Sequence, residues 1–219
     1  MADNTKQFRW IQTIHSNLAA LFADDPQVFV AGDLLWYPVE GDNKTRQAPD
    51  VMVAFGAPKG DRGSYMQWRE NNIAPQVVFE ILSPGNRLTE MLKKQLFYHR
   101  YGVEEYYIYD PDRNDLSVLI RGAEGTFEPV DDPHDWVSPR LGIRFQWDEE
   151  TLILLRPDGQ PFSTLLEERQ RAEQAQQQAE QERQRAEQAQ QQAEQERERA
   201  DRLAARLREL GLDPEATQS

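Results

Sequence analysis

Apolar side chains recur at helical spacing near the start of the chain. Five of them fall on one face of a helix over residues 8–22: Ile11, Ile14, Leu18, Leu21 and Phe22. This pattern predicts an amphipathic helix that packs on a core. Two aspartates and a proline follow at residues 24–26, and they predict the end of the helix.

The pattern then changes to short apolar runs that are typical of strands. These runs predict strands at residues 50–55, 76–82, 105–109, 116–120, 127–130, 143–147 and 152–155, and extended structure at 28–39 with an interruption near Gly32 and Asp33. Residues 56–74 are typical of a long loop. Residues 87–101 predict a second helix, which ends at Gly102 in the position of a C-cap glycine.

The order of these elements predicts an α/β fold on the border with α+β. Residues 76–109 form a strand–helix–strand step, which favours two parallel neighbouring strands joined by a right-handed crossover. The later strands follow one another without helices between them. We therefore expect a mixed central β-sheet flanked by helices in a domain spanning residues 1–162.

Residues 163–219 differ in composition from the preceding domain, because they contain no aromatic residue. Residues 169–182 recur as 183–196, a period of 14 or two heptads, and Ala and Gln favour helix. Two heptad positions carry a thin apolar seam. One holds Leu165, Ala172, Ala179, Ala186, Ala193, Ala200 and Leu207, and the other, three residues later, holds Ala175, Ala189, Leu203 and Leu210. Residues 163–211 therefore predict a long helical tail, and residues 212–219 predict a disordered terminus. The tail is either a solvated helix or a coiled coil that forms a homodimer or binds another helix.

Composition narrows the possible functions. The net charge of −13 argues against a protein that coats DNA nonspecifically, since such binding depends on neutralising phosphates with Lys and Arg. The absence of cysteine excludes disulfides and thiolate metal sites. Residues 1–7 have no apolar signal-peptide core, and no run approaches the roughly 18 apolar residues of a membrane span. We expect a cytoplasmic protein that does not bind membranes.

Glu80 is the most informative residue, because it lies in the middle of the predicted strand 76–82. A crossover strand is usually buried on both faces, and a buried glutamate requires a partner. That partner is either a metal ion or a cation of the protein in a structural salt bridge, with Lys93, Lys94 or an arginine as candidates. Both interpretations stay open at this point.

Asp50 opens the preceding predicted strand and is a candidate second carboxylate. Two neighbouring carboxylates bind Mg²⁺ well, because hard divalent cations prefer oxygen ligands. Lys94 lies on the next helix, one turn after Glu90. The two either form an ordinary i,i+4 ion pair, or Lys94 reaches back to the strand to position a water molecule or a phosphate.

These residues resemble the bacterial family described as putative restriction endonucleases, within the PD-(D/E)XK nuclease superfamily. The resemblance covers residues 8–155 and rests on an ordered set of short motifs: Pro49-Asp50, Glu80-Ile81-Leu82-Ser83-Pro84, Glu90, Lys94, Tyr98, Gly102-Val103, Glu105-Tyr106 and Asp110-Pro111. It implies that Asp50 and Glu80 bind metal. The usual lysine two residues after the second acid is Leu82 here, so Lys94 becomes the matching candidate.

The resemblance implies a Mg²⁺-dependent DNA endonuclease, with Mn²⁺ able to replace Mg²⁺, that hydrolyses phosphodiester bonds. Asp50, Glu80 and Lys94 are then the catalytic residues, and Glu90, Asp33 and His15 are accessory candidates. The alternative is a catalytically degenerate nuclease fold that serves as a binding or assembly module through its coiled coil. The acidic charge and Leu82 in the usual lysine position motivate this alternative.

Overall fold

The computed structural model describes residues 4–209. Their helices are α1 (Thr5–Leu21), α2 (Leu88–Arg100) and α3 (Leu165–Glu209), with a 3₁₀ turn at Gln67–Arg69. Their strands are β1 (Val28–Gly32), β2 (Trp36–Tyr37), β3 (Val51–Phe55), β4 (Tyr65–Met66), β5 (Val77–Ile81), β6 (Glu105–Asp110), β7 (Asp115–Arg121), β8 (Phe127–Pro129), β9 (Arg144–Trp147) and β10 (Leu152–Leu155).

The central element is a six-stranded sheet in the order β1-β3-β5-β6-β7-β8. Strands β5 and β6 are parallel, and all other neighbours in this sheet are antiparallel. The predicted strand–helix–strand step through α2 is therefore confirmed, and so is the mixed sheet flanked by helices. Two small sheets pair β9 with β10 and β2 with β4.

The sheet separates two apolar cores, because successive side chains of a strand point to opposite faces. Helix α1 packs on one face, where Ile14 and Leu18 join Val51 and Phe79 in one cluster. Helix α2 packs on the other face, where Tyr98 joins a second cluster that includes Trp36, Met52, Val78 and Tyr106. Every residue of β5 is buried, as expected for a strand covered on both faces.

The start of α1 and the loop at residues 56–74 differ from the sequence prediction. Helix α1 begins three residues earlier than predicted, because the Asn4 side chain accepts a hydrogen bond from Gln7 N at 2.8 Å and caps the helix. The predicted loop 56–74 contains β4 and the 3₁₀ turn. The sequence does not predict β4, because a strand of two residues is too short to show an alternation of apolar and polar side chains.

Side-chain cations fix the ends of the two helices that flank the sheet. Lys59 donates to the carbonyl oxygens of Phe22 and Ala23 at 2.5 and 2.6 Å, just after α1. Arg121 of β7 donates to the carbonyl oxygen of His99 at 2.5 Å, in the last turn of α2. These bonds satisfy carbonyls that have no partner within a helix, and they hold α2 in place over the sheet.

The chain divides into two compact units, residues 1–165 and 166–219. Helix α3 has 45 residues, and none of them is buried. Ion pairs three or four residues apart run along its surface, for example Arg169 with Glu173 at 3.0 Å. The predicted disordered terminus at 212–219 lies outside the described residues. No helix in residues 4–209 has the length and apolar character needed to cross a lipid bilayer.

Candidate active site

Asp50 immediately precedes β3, and Glu80 lies in the neighbouring strand β5. In the antiparallel pairing of β3 with β5, Val51 faces Phe79 and Met52 faces Val78. Continuing this register by one residue places Asp50 opposite Glu80, on the face of the sheet that α2 covers. Both side chains are buried, with exposed fractions of 8% for Asp50 and 2% for Glu80.

The backbone of Ile81 links these carboxylates to α1. Asp50 Oδ2 accepts a hydrogen bond from Ile81 N at 2.7 Å, and the Ile81 carbonyl accepts one from Gln7 Nε2, also at 2.7 Å. Gln7 is buried although it is polar. The sequence prediction missed Gln7, but a signal exists: it continues the apolar face of α1 one turn before Ile11, where a glutamine requires a buried hydrogen-bond partner.

Two side chains of α2 contact the Glu80 carboxylate. Lys94 Nζ forms an ion pair with Glu80 Oε2 at 2.5 Å, and the Tyr98 hydroxyl donates to Glu80 Oε1 at 2.5 Å. Lys94 and Tyr98 are four residues apart and so lie on the same face of the helix. The structure therefore brings Lys94 to the strand, whereas Lys93 is exposed.

The charges of this cluster are strongly coupled. Burial raises the pKa of Glu80 to about 7, since the opposing attraction of Lys94 does not fully offset the loss of solvation. Burial also raises the pKa of Asp50, although the hydrogen bond from Ile81 N acts to lower it. Burial opposes the charged form of Lys94, but the attraction of Glu80 outweighs it and raises the Lys94 pKa. The charged form of Glu80 therefore depends on the ion pair with Lys94.

Asp33 is close to the site. Its φ of 50° lies in the left-handed region, which aspartate tolerates better than most residues. Its backbone N–H donates to the carbonyl oxygens of Pro49 and Asp50 at 3.1 and 3.3 Å, so the turn after β1 is fixed against the start of β3. Burial is the main cause of the raised pKa of Asp50 and the attraction of Glu80 that of Lys94; the charge of Asp33 acts in the same direction on both.

The other two accessory candidates do not contact the carboxylates. His15 is half-buried on α1, with its ring near Gly32, and burial lowers its pKa. Within residues 4–209 no hydrogen bond or ion pair connects His15 to Asp50 or Glu80. Glu90 is exposed, and the i,i+4 pair with Lys94 does not form because Lys94 pairs with Glu80 instead.

The two carboxylates of this site suit Mg²⁺ better than a metal ion that takes all its ligands from the protein. Within residues 4–209 no group of three or more His, Asp or Glu side chains is arranged as a complete set of ligands. The site offers two carboxylates, Asp50 and Glu80. Mg²⁺ usually keeps several waters and binds through one or two carboxylates together with substrate phosphates, so these two acids are sufficient donors.

Comparisons with known proteins place the chain in a family. A solved structure described as a putative nuclease belonging to DUF820, from Anabaena variabilis ATCC 29413, is 21% identical, with a TM-score of 0.47, over 64% of this chain and 74% of its own. None of the curated proteins compared with the chain matches it. The model of the Uma2 family, described as "Putative restriction endonuclease", matches residues 5–155. The chain therefore belongs to the Uma2 family, a family of nucleases by that description.

Proposed function

We propose that the protein is a Mg²⁺-dependent endonuclease that hydrolyses phosphodiester bonds of DNA at the Asp50–Glu80 pair. The observation that carries the proposal is the placement of two buried carboxylates opposite each other, one immediately before β3 and one in β5, with a lysine on one of them. DNA is proposed as the substrate because the family description names restriction endonucleases. Mn²⁺, which also accepts oxygen ligands, is expected to replace Mg²⁺.

Asp50 and Glu80 are the proposed ligands of the ion. Mg²⁺ bound there would neutralise charge on the attacked phosphate and lower the pKa of a water molecule. The Ile81 N–H orients Asp50 for this role by donating a hydrogen bond to its Oδ2. Glu80 is held by Tyr98 at Oε1 and presents Oε2, the atom that Lys94 contacts.

Lys94 is the proposed positioning group for the attacking water or the phosphate. Its side chain contacts Glu80 and is 20% exposed, so Lys94 lies at the edge of the buried cluster. An ammonium has three donors, so when the cation takes Glu80 Oε2, Lys94 can donate to the attacking water or to a phosphate oxygen. This placement takes the lysine from α2, because the strand position two residues after Glu80 is Leu82.

The direct test is cleavage of supercoiled plasmid DNA by the full chain, with Mg²⁺ binding measured by calorimetry on the same sample. We expect saturable Mg²⁺ binding, nicked or linear products with Mg²⁺ or Mn²⁺, and no products with excess EDTA. Adding Mg²⁺ beyond the EDTA should restore cleavage. A chain that binds no Mg²⁺ and cuts neither DNA nor RNA would overturn the proposal; cutting of RNA alone would correct only the substrate.

The second candidate function is a catalytically degenerate nuclease fold that assembles partners through α3. The specific observation in its favour is the Lys94–Glu80 ion pair, which gives the buried carboxylate a cation from the protein itself. Helix α3 supplies a long surface for association, since none of its residues is buried. This candidate predicts no metal-dependent cleavage in the plasmid experiment.

Under either candidate we propose that α3 pairs with the same helix of a second copy. Leu203 and Leu207 are 59% and 37% exposed and lie one turn apart on the seam. Changing both to Glu should convert a dimer to a monomer in light scattering, because charges at core positions of a coiled coil cost stability. Gln184→Glu with Gln191→Glu adds the same charge away from the seam and should leave the dimer intact. A monomeric wild type would favour the solvated helix.

A further inference from the structure

Two buried tyrosines lie next to each other beside Glu80. Tyr98 of α2 and Tyr106 of β6 both have exposed fractions of 0%, and their ring centroids are 5.1 Å apart in an edge-to-face arrangement. The two phenols have the same chemistry and comparable burial. The difference that matters here is that the two hydroxyls do not have the same hydrogen-bond partner.

The Tyr98 hydroxyl donates to Glu80 Oε1 at 2.5 Å. The ring that carries this hydroxyl is fixed by aromatic packing. Trp36 stacks on it with ring centroids 6.3 Å apart and an interplanar angle of 3°, and Phe97 meets it edge-on at 5.7 Å. A donor on a ring packed this way has little freedom to follow a moving carboxylate, so the carboxylate is held where the donor is.

The Tyr106 hydroxyl is buried and has no hydrogen-bond partner among the described residues. Its position on the sheet is nonetheless close to the site. Tyr106 pairs with Val78 and Ile108 pairs with Glu80, so Tyr106 is a diagonal neighbour of Glu80 on the same face. Tyr106 is therefore a natural comparison for Tyr98, because it has the same hydroxyl in the same core without a bond to Glu80.

We propose that Tyr98 is a positioning residue for the metal site, whose hydroxyl holds Glu80 Oε1 so that Oε2 alone is exchanged between the Lys94 ammonium and a divalent cation. The inference rests on the proposed function. It assigns the two oxygens different tasks: Oε1 stays with Tyr98 in both states, and Oε2 leaves Lys94 when the cation binds. Tyr106 has no part in this exchange.

The geometry explains why such a residue is needed. A glutamate side chain has three rotatable bonds, and its two carboxylate oxygens are chemically equivalent. Without the Tyr98 hydroxyl, the Lys94 ammonium is free to bind both oxygens at once. Glu80 would then be held more firmly by Lys94 and less well oriented toward Asp50. Loss of the hydroxyl should therefore weaken cation binding, although the residue itself does not touch the cation.

The matched test compares Tyr98→Phe with Tyr106→Phe in the full chain, using calorimetric titration with MgCl₂ and the Mg²⁺ dependence of plasmid cleavage. Loss of an outer-shell partner of a metal ligand typically weakens metal binding about 10- to 100-fold. We expect a weakening of Mg²⁺ affinity of this size for Tyr98→Phe, and cleavage should need correspondingly more Mg²⁺ to reach half of its maximal rate. Tyr106→Phe removes a hydroxyl without a partner and should keep the wild-type Mg²⁺ affinity.

The outcomes separate this inference from the proposed function. Wild type without Mg²⁺ binding or cleavage would overturn both. Wild type that binds Mg²⁺ and cuts, together with equal affinities for Tyr98→Phe and Tyr106→Phe, would overturn the positioning role alone. Urea unfolding of each variant provides the control: loss of cooperative unfolding in Tyr98→Phe would assign the hydroxyl to stability and also overturn the positioning role.

Discussion

Asp50→Asn should reduce plasmid cleavage about a thousandfold or more while the chain stays folded. Asparagine has nearly the same shape, and its side-chain oxygen can still accept the hydrogen bond from Ile81 N that Asp50 Oδ2 accepts at 2.7 Å. The change therefore removes a negative charge and leaves the local structure in place. A metal ligand contributes several kcal/mol to the transition state, and each 1.4 kcal/mol is a factor of about ten in rate.

The measurement is the initial rate of nicking at saturating Mg²⁺, with the urea midpoint as the check on folding. Asp115→Asn is the matched control, because Asp115 is an exposed aspartate of β7, away from the two carboxylates. We expect Asp115→Asn to cut at the wild-type rate. Cleavage by Asp50→Asn within a few-fold of wild type would exclude Asp50 as an essential ligand of the proposed ion.

The elements around the site could be predicted from sequence because their patterns are local. Residues 77–82 are apolar except for Glu80, a pattern that favours a strand buried on both faces, and β5 is such a strand. The parallel pairing of β5 with β6 also follows from order alone, since a helix lies between them. Asp50 could be placed beside Glu80 once β3 was recognised as a neighbouring strand.

Burial of a glutamate did not by itself identify the site. Glu105 at the start of β6 is as buried as Glu80, with an exposed fraction of 2%. Its carboxylate accepts hydrogen bonds from Ser138 Oγ, the Tyr107 hydroxyl and Arg140 N, at 2.5, 2.8 and 2.6 Å. These neutral donors satisfy Glu105 and hold the segment before β9 against the sheet. Glu80 differs because its partner is a cation and a second carboxylate lies opposite.

The contacts across the site could not be predicted because they join distant segments. Gln7 and Ile81 are 74 residues apart, and no local pattern connects them. Lys94 had two possible partners, Glu90 on its own helix and Glu80 on the strand. The structure decides between them through burial: an unpaired carboxylate inside the protein costs more than a broken surface pair, so the lysine turns inward to Glu80.

Lys94→Met should lower cleavage and raise Mg²⁺ affinity, two effects of opposite sign. Methionine keeps most of the side-chain length and removes the ammonium that contacts Glu80 Oε2 at 2.5 Å. Loss of the group that holds the water or phosphate should lower the cleavage rate about 100-fold or more. At a pH at which Glu80 is ionised, loss of the competing cation should tighten Mg²⁺ binding about tenfold, since Mg²⁺ no longer has to displace the ammonium.

The same variant should acquire a pH-dependent stability that Mg²⁺ removes. Without Lys94, the pKa of Glu80 in the folded state should rise further above its ordinary value, because burial then acts without the opposing attraction. A folded-state pKa above the unfolded value means that the folded chain holds the proton more tightly, so stability is present at low pH and is lost as pH rises toward the folded-state pKa. Urea midpoints should therefore fall from pH 5 to pH 8 more steeply than in wild type, and Mg²⁺ at pH 8 should restore them.

Lys93→Met is the matched control. Lys93 is exposed, and its substitution removes the same charge from the same helix. It should show wild-type cleavage, Mg²⁺ affinity and pH dependence. If Lys94→Met binds Mg²⁺ no better than Lys93→Met, the ammonium does not compete for Oε2 and the ion binds elsewhere. If Lys94→Met binds Mg²⁺ more tightly and cuts at the wild-type rate, Lys94 is a counter-ion of Glu80 and takes no part in the chemistry.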